Sequence, residues 1–302
     1  MNNSIADVSL LRAVLVCLSH RETRTAAFRF AVTASRRFLV FQFAAWLRPA
    51  MAPVSSVDHE LDARIPFEPR RVAVYLDFIP FWVRIVGYLL LNFGKEGRKA
   101  AADFIDGISG LYVSAFDVYR KHLSTTERPR YLRRPRFLLI HLADPHLLCV
   151  PSLHVMTVVR AWTHFGALAK EFGDGQDERV RELRRGALEI TEAILFVKQH
   201  SVNCVGAGMY AMTRFDPDLF PRDIALAFAD DLFRAQGKPD AGDSAAIRAH
   251  VASFYDRLLN EGKAAAHWSE PLIAFLASCP LARTTVSRKA FFRKAVFRKA
   301  FD

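Results

Sequence analysis

Cys149-Val150-Pro151-Ser152-Leu153-His154-Val155 is the stretch on which the reading of this 302-residue chain turns. Proline cannot continue a helix that precedes it, serine is a favoured N-cap, and the run from Leu153 is apolar with helical spacing. The letters predict a helix that opens at Ser152 and runs to Leu168. A helix opening leaves backbone N–H groups without intrahelical partners, at the positive end of the helix dipole. That end can hold an anion, and His154 falls in its first turn. A capped helix that happens to contain a histidine would satisfy the same letters.

Two other stretches give the histidine company. Upstream, Lys121 and the pair Arg128-Pro129 are separated by six residues. Downstream lies Lys198-Gln199-His200-Ser201-Val202-Asn203-Cys204. The order is lysine then Arg-Pro, Pro-Ser-x-His, and Lys-Gln-His. This resembles the superfamily of type 2 phosphatidic acid phosphatases and vanadium haloperoxidases (PAP2), whose motifs read K-x6-RP, PSGH and SR-x5-H-x3-D. It is most similar to the branch that writes PSLH and KQH. Ile65-Pro66-Phe67-Glu68-Pro69 and Tyr75 are similar to that branch's opening segment. The resemblance covers about Asp58 to Met212.

The resemblance implies an all-α helical bundle and phosphoryl transfer through a phosphohistidine. The residue matching the family nucleophile is His200, and the one matching its general acid is His154. Lys121, Arg128, Ser152 and Lys198 would hold the phosphate, Lys198 near the place of the third-motif arginine but at a different spacing. The chemistry fits those residue types. Phosphoryl transfer needs positive charge around three oxygens and an in-line nucleophile. Arginine can grip two oxygens at once, a histidine can protonate a leaving oxygen, and another can attack phosphorus. No metal or other cofactor is required. His141, Asp144 and His146 read as loop and cap residues.

One position departs from the pattern. The family places an aspartate four residues after the nucleophile, where it holds the imidazole in one tautomer. Here that position is Cys204, and a thiol is a weak partner. On a helix the two side chains would share a face. Glu192 and Asp216 are the nearest carboxylates in sequence that could substitute, and Asn203 should point off that face. Two functional readings follow: a phosphatase or phosphotransferase acting on a lipid-linked or small-molecule phosphate ester, or a degenerate fold that binds phosphate or anionic lipid without turnover. A helical basic protein with coincidental motifs is the third.

Charge bears on partners. The net charge is +11 and hydrophobic residues make up 51% of the chain. Residues 1–57 hold seven arginines against two acids, and residues 288–302 hold six cations against one. The body is close to neutral, which argues against a nucleic-acid-binding core. The basic ends suit an anionic membrane surface. Mean hydropathy is only +0.08. The longest stretches without charged residues, Pro145–Val159 and Gln199–Thr213, are 15 residues each, short of a membrane span. A membrane-associated protein is expected, with a soluble cytoplasmic one as the alternative. The four scattered cysteines suggest neither disulfides nor zinc.

The chain divides into a basic N-terminal extension (1–57), a helical core (58–213), C-terminal amphipathic helices (214–287) and a pentad-repeat tail (288–302). No strand pattern persists. Met51 precedes the family-like segment, so residues 1–50 are expected either to anchor the protein or to be dispensable to its fold.

Overall fold

The computed structural model describes residues 4–129, 131, 133–173, 175–235 and 239–282. The pentad repeat lies outside them. Helices α1 (Leu10–Ser19) and α2 (Arg21–Ala34) come first, and a π-helical turn over Ser35–Val40 carries α2 into α3 (Phe41–Leu47). After strand β1 (Val54–Ser56) come α4 (Val72–Leu76), α5 (Phe78–Asn92) and α6 (Gly94–Tyr119). Strand β2 (Leu123–Thr125) and α7 (Pro135–Ala143) lead to α8 (Leu153–Glu171), α9 (Asp177–Phe196) and α10 (Val202–Phe215). Then follow α11 (Arg222–Asp231), α12 (Ala241–Ala264) and α13 (Glu270–Ser278). The fold is all-α, as the sequence implies.

The second-motif helix is the hub. Helix α8 packs on α9, α10, α6 and α5, and Val155, Met156, Val158, Val159 and Phe165 along it are fully buried. Ser152 is its N-cap, accepting a hydrogen bond from the Val155 N–H at 3.5 Å. Burial of this many branched and aromatic side chains supplies the dominant stabilising term. The Gly206-Ala207-Gly208 run lets α10 approach closely. A methyl group at Gly208 would lie 3.0 Å from Val155 Cβ, and one at Gly206 would lie 2.8 Å from Phe254 on α12.

Several expectations need correction. Residues 1–57 are not an appendage. Helix α1 packs along α5 and α2 along α6, with Ala13, Cys17, Thr23 and Ala26 buried. A methyl at Gly87 on α5 would sit 2.5 Å from Ala13 Cβ, so no larger residue fits that crossing. Arg29 pairs with Asp106 through Nε at 3.2 Å and Nη2 at 2.5 Å. These contacts are non-local, so composition alone did not reveal them. Strands also exist, though small: β1 and β2 pair in parallel, Ser55 opposite Ser124. Three-residue strands are too short for an alternating pattern to register. The N-cap of α12 is Asp240, accepting from the Asp243 N–H at 2.9 Å.

Pro69–Asn92 is long and apolar enough to cross a bilayer. Half of an 18-residue apolar stretch within it is buried inside the chain, and two of its charges neutralise each other, Arg84 Nη1 lying 3.0 Å from Asp77 Oδ2.

Candidate active site

His154 and His200 meet. His154 is the second residue of α8, placed by the Ser152 cap. His200 arrives differently. Helix α9 ends at Phe196, and Lys198 then adopts a left-handed φ of 55°, unusual for a residue with a side chain. The Gln199 and His200 N–H groups both donate to the Ile194 carbonyl, at 3.0 and 3.2 Å. Ser201 then caps α10, its hydroxyl accepting from the Asn203 N–H at 3.3 Å. The outcome is His200 Nε2 at 3.3 Å from His154 Nδ1, with the rings 5.2 Å apart and inclined at 67°.

Both imidazoles line a cavity of about 200 Å³ together with Asp144, His146, Cys149 and Gln42. Its remaining walls are mostly aromatic and aliphatic, and several of them come from the N-terminal helices: Phe30, Ala34, Phe38 and Leu39. Tyr75 stacks on His154 at 4.7 Å, and Phe78 lies at 4.2 Å. Burial pushes His154 down to about 4, with His146 adding to the effect and Asp144 opposing it. Burial also holds His200 well below its ordinary value, helped by His154 and His146 and opposed by Asp144 and the Cys149 backbone. Removal from water disfavours the charged imidazole, so the pair is neutral at pH 7. The outer nitrogens, His154 Nε2 and His200 Nδ1, are buried without a hydrogen-bond partner.

The other expected residues divide. Arg128 stands against the third-motif segment, its Nη1 donating to Gln199 Oε1 at 3.2 Å and its Nη2 to the Asp144 carbonyl at 2.9 Å. Ser152 is fully buried and its hydroxyl serves the cap. Lys121 is exposed at the end of α6 and does not line the cavity. Lys198 is a correction. Its Nζ donates to the carbonyls of Asp62 and Ile65, so it clamps the chain rather than facing a phosphate. Burial lowers its affinity for protons, with Asp62 opposing.

Cys204 is also a correction. Helix α10 begins at Val202, so His200 precedes it and the four-residue spacing does not put the two side chains on one helical face. The thiol is fully buried, and burial raises it well above its ordinary value. It is an uncharged core group. Neither Glu192 nor Asp216 lines the cavity. Glu192 Oε1 accepts from the Phe233 N–H at 2.6 Å, and Asp216 accepts from Arg160 at 2.6 Å. Asn203 points away, donating to the Val57 carbonyl and meeting His250 Nε2 at 2.8 Å.

The carboxylate in the cavity is Asp144. It does act as a local cap, accepting from the His146 N–H at 2.7 Å, as the sequence suggests. It also faces the histidines, and its charge acts on both His154 and His200. Burial pushes its carboxyl up, but His146 and the Arg128 guanidinium outweigh burial and hold it below the usual carboxylate range. It therefore stays ionised. His146, at a φ of 61°, bonds Thr126 Oγ1 at 2.8 Å through Nε2. The signal for both was Asp144-Pro145-His146 shortly before the central stretch, a carboxylate and an imidazole flanking a proline. Gln42 and Phe38 gave no signal, since they come from the segment read as an extension.

Chemically, the site offers neutral imidazoles with a lone pair, an ionised carboxylate and a guanidinium anchored beside it, in an apolar shell. Among the described residues no group of three or more His, Cys, Asp or Glu side chains has a metal-holding arrangement. Comparisons with protein-family models, with curated proteins and with solved structures find no match.

Proposed function

We propose that this chain transfers or hydrolyses the phosphoryl group of a phosphate ester, lipid-linked by preference, through a phosphohistidine at His200. The observation that carries the proposal is the meeting of His154 and His200, 46 residues apart in sequence, at 3.3 Å in one cavity. The motif order supports it.

The steps balance as follows. The His200 Nε2 lone pair forms a bond to phosphorus while the ester P–O bond breaks. The leaving oxygen takes a proton from His154, which enters this step as the imidazolium, having taken up a proton when the anionic ester bound. Water, giving its proton back to His154, then attacks phosphorus and the P–N bond breaks. Attack through Nε2 places the other ring proton on Nδ1, the nitrogen that has no acceptor. The phosphoryl group must part the two rings, and its negative charge raises the proton affinity of both. Phosphate binding should therefore take up protons near neutral pH.

The apolar shell favours an ester with a hydrocarbon portion. The basic ends of the chain suit an anionic membrane surface. Phosphate release from a short-chain phosphatidate, by wild type and by His200→Ala side by side, tests the reading. Turnover that survives His200→Ala overturns it.

A second reading rests on the unpartnered Nδ1 and the buried thiol at Cys204: the cavity binds phosphate or anionic lipid without turnover. It predicts a thermal shift with vanadate or phosphate and no release from any ester.

A further inference from the structure

The cavity opens beside an apolar, arginine-edged face, and we infer that this face seats the protein on an anionic lipid surface with the cavity mouth against the bilayer. Leu39 and Ile79 line the cavity and are also 45% and 43% exposed, so they mark its mouth. From Leu39 the apolar surface continues along the π-helical turn and α3 through Val40, Phe43 and Leu47, all exposed. On the other side, Asp144 in the cavity wall ends α7, and Leu138, Leu139 and Leu142 of that helix are exposed. Gln42 on α3 accepts from the Leu147 N–H at 3.2 Å, which ties the two sides together.

Large apolar side chains clustered in this way mark an interaction surface. Charge decides the partner. Residues 35–48 carry Arg36, Arg37 and Arg48, and residues 133–143 carry Arg133, Arg134 and Arg136, with no Asp or Glu in either stretch. Arg36, Arg48, Arg133 and Arg136 are exposed. A second copy of the chain would bring like charge to like charge. An anionic bilayer answers both features: leucine and phenylalanine side chains enter the boundary of the acyl chains while arginines meet headgroup phosphates. A lipid ester could then pass from the bilayer into the cavity between Leu39 and Ile79 without crossing water. The membrane contact is thus a short helical face around the mouth. The inference deepens the lipid-linked reading and rests on it for the nature of the substrate.

The test is co-sedimentation of the full chain with vesicles of phosphatidylcholine, with and without phosphatidylglycerol. Wild type should bind the anionic vesicles and not the neutral ones. Val40→Glu/Leu139→Glu should weaken binding by about tenfold or more, because both side chains leave water on binding. Arg36→Glu/Arg136→Glu should do the same. Circular dichroism on each variant confirms the fold, and the targeted side chains are exposed in wild type. His200→Ala should bind like wild type, which separates this test from that of catalysis. Wild-type binding that Val40→Glu/Leu139→Glu leaves unchanged overturns the inference. So does a light-scattering dimer that these substitutions dissociate in a chain with no vesicle affinity, because the face would then be covered by a second copy. Loss of vesicle binding on removing residues 283–302 alone would assign the contact to the tail and overturn it as well.

Discussion

The second-motif and third-motif segments each deliver one histidine to the cavity, by different physical means. His154 is placed locally: proline stops the preceding chain, Ser152 caps the helix, and the imidazole follows in the first turn. His200 is placed from a distance. Its turn holds Lys198 in a left-handed conformation, and the lysine ammonium reaches carbonyls at Asp62 and Ile65, more than 130 residues earlier. The first placement follows from rules that act over a few residues. The second follows from packing, and a reading of neighbouring letters mistakes its lysine for a ligand and its cysteine for a helical neighbour.

The largest expected effect tests whether the two segments form one site. His200→Ala and His154→Ala should each lower phosphate release by about a thousandfold or more, and the double variant by little beyond either, because groups acting as a unit are not additive. Independent losses that multiply would break the pairing.

Asp144→Asn comes next. If this carboxylate orients the pair, turnover should fall steeply, towards the ~10⁴-fold loss seen when a triad aspartate is replaced, while vanadate binding weakens far less or strengthens through loss of a like charge. Equal loss of both would assign Asp144 to structure.

Lys198→Ala sharpens the contrast between clamp and ligand. Losing two charge-assisted hydrogen bonds should cost about 2 kcal/mol of stability, read as a fall in thermal midpoint, with the affinity for vanadate changed little. A loss of vanadate affinity with an unchanged midpoint would restore the ligand role.

Acidification sharpens it further. A histidine held at about 4 when folded and near 6.5 when unfolded binds more protons in the unfolded state between those values. Its stabilising contribution is therefore present above pH 6.5 and lost as pH falls through the window. From pH 7 to pH 5, His154 alone should cost about 2 kcal/mol. His154→Gln should flatten that slope.

The smallest effect belongs to Cys204→Ala. A buried thiol outside the His200 helix face should cost about 1 kcal/mol of stability and leave turnover within about threefold. Cys204→Asp, by contrast, buries a carboxylate. A rise in turnover on that change would show that position 204 reaches His200 after all.

The all-α class, the helix from Ser152 and the two histidines were legible because capping, proline placement and helical apolar spacing act locally. The place of residues 1–57 was not. Their arginines read as a solvated extension, yet α1 and α2 bury small residues such as Ala13 and Ala26 against α5 and α6, and small residues leave a faint hydrophobic signal. Asp144 was visible only as a turn residue, because its reach into the cavity depends on where α7 ends relative to α8. Lys198 was misread because cation chemistry is the same for a carbonyl clamp as for a phosphate contact.

The central claim is that His200 attacks phosphorus. The most direct measurement is to mix the protein with a short-chain phosphatidate carrying labelled phosphate, quench, and map any protein-bound label. The account predicts an acid-labile, alkali-stable phosphohistidine at His200, longer-lived in His154→Ala and absent from His200→Ala. Label at any other residue, or steady turnover in His200→Ala, would contradict it.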